Sequence, residues 1–113
     1  MINKLFSSLS RRRVQICNEI SDIKSMRRGS LNEFYYEQKL KNGTMAKRGP
    51  FYNITMKGAN GKTVSKSVSK TDVDRIRAEV DNYRKFRELS DEYVDICEKI
   101  SLLSESENEA KKN

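Results

Sequence analysis

A cluster of basic side chains lies in the middle of the sequence, among hydroxyl, amide and aromatic side chains. Its cations are Lys47, Arg48, Lys57, Lys62, Lys66 and Lys70, and Tyr52, Asn53, Thr63, Ser65 and Ser67 are interleaved with them. Cations and hydrogen-bond donors of this kind contact phosphate oxygens, and aromatic rings offer stacking surfaces. The pattern therefore favours binding of an anionic ligand. The alternative is that charges on an edge strand only prevent aggregation.

A second basic cluster lies in the first segment of the chain. Its members are Arg11, Arg12, Arg13, Arg27 and Arg28, accompanied by Lys24. Arginine pairs with phosphate in a bidentate manner and stays charged when partly desolvated, so a helix carrying these residues is suited to lie along a nucleic-acid backbone. Solvated arginines, or arginines paired with neighbouring carboxylates, are the alternative.

The net charge of +7 is unevenly distributed along the chain. Residues 1–28 carry +5, residues 29–70 carry +6 and residues 71–113 carry −4. A basic field of this size attracts nucleic acid or an anionic surface. Neutralisation of the first segment by the acidic last one is the alternative, but it leaves the middle segment uncompensated.

The residues for catalysis or metal binding are few. The chain has no histidine, and its two cysteines, Cys17 and Cys97, are far apart in sequence. Histidine is the commonest general base and metal ligand, so we expect no catalytic site, no metal and no cofactor, and both cysteines reduced and buried. Tyr35 is not expected to act as a nucleophile, because a nucleophilic tyrosine needs histidine partners and the chain has none.

The 113 residues predict one α+β domain over residues 1–104, followed by a disordered tail over residues 105–113. No apolar run approaches the roughly 20 residues of a membrane-spanning helix, and the N-terminus does not have the pattern of a secretory signal. We therefore expect a cytoplasmic protein.

Apolar spacing predicts an N-terminal helix over residues 3–28 and a three-stranded antiparallel meander over residues 31–40, 51–57 and 62–69. Asn60-Gly61 indicates a tight type I′ hairpin turn. Asn42-Gly43 indicates an earlier turn within a longer, looser connection. Tyr52, Ile54 and Met56 share one side of the second strand and are candidates for the core.

A long C-terminal helix is predicted after Thr71. Its first part, over residues 73–83, is expected to cover the sheet. The second part carries a heptad seam of Phe86, Leu89, Tyr93, Ile96, Ile100 and Leu103. We expect the N-terminal helix to pack beside this seam and a second copy to bury the remaining apolar edges in a homodimer. An antiparallel pair within one chain, satisfied by itself, is the alternative.

Four short motifs carry a resemblance. They are Arg28-Gly29-Ser30-Leu31, Gly49-Pro50-Phe51-Tyr52, Gly61-Lys62-Thr63 and Asn82-Tyr83-Arg84-Lys85-Phe86. Over roughly residues 28–103 the chain resembles a family of short prokaryotic domains of unknown function that occur around transposases and other mobile elements. The resemblance implies a helix, a three-stranded meander and a helix, in a mobile element or phage. Many members have a cysteine cluster where this chain reads NGTMAKRGP, without cysteine.

Together these features predict a non-catalytic nucleic-acid-binding accessory protein that contacts phosphates, of DNA or RNA, through a basic helix and a basic hairpin. The alternative is a protein-binding accessory or inhibitor of the anti-defence type, which acts on a nucleic-acid-processing complex through the same basic surface.

Overall fold

The computed structural model describes the backbone of residues 2–112 and the side chains of residues 3–108. The chain forms helix α1 (Ile2–Ser21), strands β1 (Ser30–Lys39), β2 (Met45–Lys57) and β3 (Thr63–Val68), and helix α2 (Val73–Lys112). The predicted α+β class and the order of the elements are confirmed. The chain divides into two compact units, and α2 contributes residues to both.

The helical unit consists of residues 1–24 and 84–113. Its core is formed by Ile16, Leu89 and Ile96, with Leu9, Ile20, Ile23, Tyr93 and Ile100 packed around them. These side chains recur at steps of three, four or seven residues, so each helix presents one apolar face. Leu89, Tyr93, Ile96 and Ile100 of the predicted seam thus pack within one chain, while Phe86 and Leu103 are half-buried.

The sheet unit spans Ser25–Tyr83 and contains an antiparallel sheet of order β1-β2-β3. One face of this sheet, here called the covered face, packs Leu31, Tyr52, Ile54, Met56 and Val68 against Val73, Ile76 and Val80 of α2. The predicted core side of β2 and its cover by the first turns of α2 are confirmed. The opposite face, here called the open face, carries Asn32, Phe34, Tyr36, Phe51, Asn53 and Thr55.

Both hairpins close with the same five-residue turn, at residues 40–44 and 58–62. In the first turn, the Leu40 N–H donates to the Thr44 carbonyl at 2.8 Å, and the Gly43 N–H donates to the Leu40 carbonyl at 2.9 Å. In the second turn, the Gly58 N–H donates to the Lys62 carbonyl at 2.7 Å, and the Gly61 N–H donates to the Gly58 carbonyl at 3.0 Å. The side chain of the asparagine also accepts a hydrogen bond in each turn: Asn42 Oδ1 accepts from the Thr44 N–H and Asn60 Oδ1 from the Lys62 N–H, both at 3.1 Å. Only the glycine of each pair has positive φ, so Asn60-Gly61 forms a hairpin but not the predicted type I′ turn.

Strand β2 begins six residues earlier than predicted. The expected loose connection is instead a tight turn, and β2 continues through Gly49 and Pro50 to Lys57. The register shifts between Phe34 and Tyr36 of β1, opposite which β2 has one extra residue. A bulge tolerates proline because it does not require the missing N–H in the ladder.

Helix α1 ends at Ser21, whereas the sequence predicts a helix to residue 28. The following segment is held by α2 instead. The Arg27 N–H donates to the Glu79 carbonyl at 3.0 Å, and Asn82 Nδ2 donates to the Ser25 carbonyl at 2.9 Å. These contacts engage backbone groups that a continuing helix would need for itself.

Two further expectations differ from the structure. Helix α2 continues to Lys112, where the sequence predicts a disordered tail from residue 105. The added residues include glutamate, alanine and lysine, which favour helix, and no glycine or proline interrupts them. Cys17 is exposed rather than buried, and Cys97 is half-buried; both are free thiols.

Candidate nucleic-acid interface

Four lysines surround the β2–β3 hairpin. Lys57 ends β2, Lys62 closes the turn, Lys66 lies in β3 and Lys70 follows it. The Asn60-Gly61 turn fixes their order in space, because it sets the pairing of Lys57 with Thr63 and of Ile54 with Lys66. All four side chains are exposed. The hairpin therefore displays four exposed cations at one end and along one edge of the sheet, with Lys57 and Lys66 on opposite faces.

None of these four lysines takes part in an ion pair among the described side chains. Lys66 is on the covered face, opposite Ile54, yet it is exposed because β3 is an edge strand. A long aliphatic stem lets an edge lysine carry its ammonium group into water. The positive charge of the hairpin is consequently available to an external anion.

Arg12 of the first basic cluster is engaged within the helical unit. Its Nε and Nη2 donate to the two carboxylate oxygens of Glu92 at 2.7 and 2.8 Å, and its Nη1 donates to Glu19 at 3.1 Å. The bidentate hydrogen bond to Glu92 is the main cause that raises the pKa of Arg12, and the same hydrogen bond lowers the pKa of Glu92. Arg12 therefore links α1 to α2, and its charge is compensated.

The other arginines of this cluster differ in their surroundings. Arg11 and Arg13 form no ion pair among the residues that the structure describes. Arg27 pairs with Glu79 at 3.2 Å, and the Arg28 guanidinium lies 5.8 Å from the centre of the Tyr83 ring. Arg27 and Arg28 belong to the sheet unit, whereas Arg11, Arg12 and Arg13 belong to the helical unit. The predicted cluster is therefore divided between the two units.

Lys47 and Arg48, neighbours in sequence, point to opposite faces of the sheet. Lys47 Nζ lies 4.3 Å from the centre of the Tyr35 ring on the covered face. The hydroxyl of Tyr35 donates to Glu33 at 2.9 Å, and this hydrogen bond is the main cause that raises the pKa of Tyr35. Arg48 lies opposite Tyr36 on the open face, and its Nε donates to Gln38 Oε1 at 2.8 Å.

The open face has an aromatic part and a polar part. The Phe51 ring stacks on Tyr36, with centroids 5.1 Å apart and an interplanar angle of 15°, and packs tilted against Phe34 at 5.8 Å. Beside these rings, Asn32 Nδ2 donates to Asn53 Oδ1 at 2.9 Å and to Thr55 Oγ1 at 3.3 Å. The three rings remain 36–50% exposed.

This aromatic group is not predicted by the sequence. The Phe34-Tyr35-Tyr36 triplet indicates aromatics on both faces of β1, but its partners depend on the register of β2. A strand that starts at Phe51 leaves Tyr36 without a neighbour, and only the early start at Met45 with the bulge brings Arg48 opposite Tyr36. The basic residues before Pro50, Lys47 and Arg48, are the sequence signal that could have indicated the early start of β2.

Within the described side chains, no three histidine, cysteine, aspartate or glutamate residues form a group that could hold a metal ion. Neither helix, over the residues described, combines the length and the apolar character needed to cross a membrane.

A scan against protein-family models finds no match, and searches of the curated proteins and of the solved structures find no significantly similar protein.

Proposed function

We propose that this protein is a non-catalytic nucleic-acid-binding accessory protein that contacts backbone phosphates through the β2–β3 hairpin. The resemblance carried by its Gly-Pro-aromatic and Asn-Tyr-Arg motifs suggests a mobile element or phage as the setting. The observation that carries the proposal is the group of four hairpin lysines, which are exposed and form no ion pair with any side chain that the structure describes. Lysine binds phosphate as a mobile point charge and needs no fixed geometry.

The predicted basic residues outside the four hairpin lysines contribute to this surface to different degrees. Arg48 and Lys47 extend the positive charge to the far end of β2, where each already contacts a neutral side chain. Such contacts orient a cation without neutralising it. Arg12 and Arg27 face carboxylates, so the proposal assigns them to stability rather than to binding. Arg11 and Arg13 form a second, separate candidate surface.

The proposal is tested by fluorescence anisotropy with labelled single-stranded and duplex oligonucleotides over a range of salt concentrations. Removing one cation that binds a phosphate reduces the slope of log K against log salt by about 0.7 to 0.9. The double variant Lys57→Gln/Lys62→Gln should therefore bind more weakly and show a slope reduced by about 1.4 to 1.8.

A matched control is the double variant Lys85→Gln/Lys99→Gln. Both lysines are exposed on α2, so the net charge changes by the same amount at a different place. This control should leave the slope nearly unchanged. Equal weakening in the two variants would show that only net charge matters, and no binding by the parent protein at low salt would refute the proposal.

We also propose that the protein forms a homodimer through its helical unit. Large apolar side chains of this unit remain exposed beside its core, namely Leu5, Phe6, Val14, Val94 and Leu102. Burial of such side chains by a second copy is favourable. Sedimentation velocity over a range of concentrations should show a dimer that Val14→Lys dissociates, and a monomer at all concentrations would contradict the proposal.

A further inference from the structure

The open face of the sheet presents three aromatic rings side by side. Phe34, Tyr36 and Phe51 are 42%, 50% and 36% exposed. Phe34 and Phe51 are directly opposite in the ladder, and Tyr36 is two residues from Phe34 on the same strand. The packing of Phe51 against both other rings joins them into one apolar surface. Exposed aromatic groups of this kind on a small protein indicate a binding surface.

The charges of the strands are segregated between the two faces. Both strand glutamates, Glu33 and Glu37, are on the covered face, opposite Tyr52 and Lys47. The open face carries Arg48 and Lys57 and no carboxylate at any position of the three strands, all of which the structure describes. The remaining paired positions of this face are Ala46 and a set of hydroxyls and amides: Ser30, Asn32, Gln38, Asn53, Thr55, Thr63, Ser65 and Ser67.

We propose that the open face is a stacking platform for the unpaired bases of a single-stranded nucleic acid, with its phosphates held by Arg48 and Lys57. This inference rests on the proposed function and specifies its ligand class. Bases stack on exposed aromatic side chains irrespective of sequence, because every base has a π-face. The bases of a duplex are stacked on one another, so only a single strand, a loop or a frayed end offers them to this surface.

The composition of the face argues against a second copy of this chain as the occupant. Two open faces in contact would bring Arg48 and Lys57 of both copies together without a carboxylate to compensate them. The asparagine and threonine side chains and the serines of β3 would also be removed from water. Like charges and desolvated polar groups both disfavour such an interface. An anionic strand with aromatic bases complements the rings and the cations at once.

The test compares two labelled single strands of about 12 nucleotides, one of thymidine and one with the same phosphates and sugars but no bases. The parent protein should bind the intact strand roughly 5- to 100-fold more tightly than the abasic strand. Tyr36→Leu should weaken binding of the intact strand by a similar factor and leave binding of the abasic strand unchanged. Tyr36→Phe, which keeps the ring, should retain the affinity of the parent protein.

A matched control is Phe6→Leu. Phe6 is an aromatic residue of similar exposure, 43%, but it lies on α1 in the helical unit. Because Phe6 also belongs to the proposed dimer surface, the measure is the ratio of the affinities for the two strands, which this variant should leave as in the parent protein. Far-UV circular dichroism and urea unfolding of Tyr36→Leu verify that its fold is intact, and Phe34→Leu provides a second variant of the platform if it is not.

The outcomes separate the two proposals. Equal, salt-dependent binding of both strands by the parent protein would overturn the stacking platform and leave phosphate binding intact. Equally weakened binding of both strands by Tyr36→Leu would also overturn it, since the ring would then act through the fold. Absence of binding to either strand at low salt would refute the proposed function itself.

Discussion

The two faces of the sheet are formed by the same three strands but differ in what they expose. The covered face buries Ile54 and Val68 against α2 and also holds both strand glutamates. The open face leaves its aromatic rings in water and holds only positive charge. Because side chains alternate along a strand, a single stretch of sequence encodes a face for stability and the face that we propose for recognition. Substitutions on either face can test this division.

The largest effect is expected from the covered face. Ile54 is 2% exposed, so Ile54→Ala should leave a cavity and lower the free energy of unfolding by about 2–5 kcal/mol. Phe51→Ala removes a larger side chain from the open face but should cost less, about 1–2 kcal/mol, because the side chain is 36% exposed and loses mainly its contacts with Tyr36 and Phe34. Urea unfolding followed by circular dichroism measures both. Equal destabilisation by the two substitutions would contradict the division of the two faces.

A somewhat smaller effect is expected at the bulge of β2. Gly49 has a φ of +133°, and a Cβ there would lie 2.7 Å from Tyr35 Cδ1 and 3.0 Å from the Phe34 carbonyl oxygen. Gly49→Ala should therefore lower the free energy of unfolding by about 2–4 kcal/mol, through backbone strain and overpacking.

The control for the bulge is Gly43→Ala in the β1–β2 turn. Gly43 also has positive φ, +87°, but a Cβ there would meet nothing within 4 Å. This variant should cost about 1–2 kcal/mol, which is the cost of a left-handed conformation alone. A destabilisation as large as that of Gly49→Ala in the same urea titration would show that close packing at the bulge is unimportant.

The smallest effect is expected in the helical unit, where the ion pair between Arg12 and Glu92 contributes to stability. The hydrogen bond from Arg12 lowers the pKa of Glu92 in the folded protein. A lowered folded pKa means that the ion pair stabilises the fold above the unfolded pKa of about 4.3 and that this stabilisation disappears as pH falls through the folded value. Glu92→Gln should therefore lower the thermal midpoint at pH 7, and the difference should shrink on acidification.

Glu98→Gln is the control for this prediction, since Glu98 is exposed on the same helix and forms no ion pair among the described residues. It should change the thermal midpoint little at either pH. A deficit of Glu92→Gln that stays constant from pH 7 to strong acid would mean that the charge of Glu92 is not what stabilises the helical pair.

The order of elements and both apolar cores could be predicted from the sequence, because they depend on local periodicity. The alternation of Tyr52, Ile54 and Met56 and the spacing of Leu89, Tyr93, Ile96 and Ile100 identify their packing faces without any knowledge of partners. The four hairpin lysines could be located in the same way, since the Asn60-Gly61 turn fixes their positions relative to the strands.

Features that depend on distant residues could not be predicted. The segment after α1 forms hydrogen bonds with Glu79 and Asn82, more than fifty residues away in sequence. The partner of Arg12 is Glu92, which lies on another helix. The stacking of Tyr36 on Phe51 requires a β-bulge in a segment whose sequence predicts a loop. Each of these features depends on strand register or on a tertiary contact, and not on the periodic spacing of apolar residues.

The shared form of the two hairpin turns allows a protein isomer to be made. Their tips differ at the second residue, Lys41 in one and Ala59 in the other, and each is followed by the same asparagine and glycine. Exchanging only these two side chains, Lys41→Ala with Ala59→Lys, would move one ammonium group from one tip to the other. Mass, composition and overall charge would stay constant, so any change in ligand preference would report the location of that charge alone.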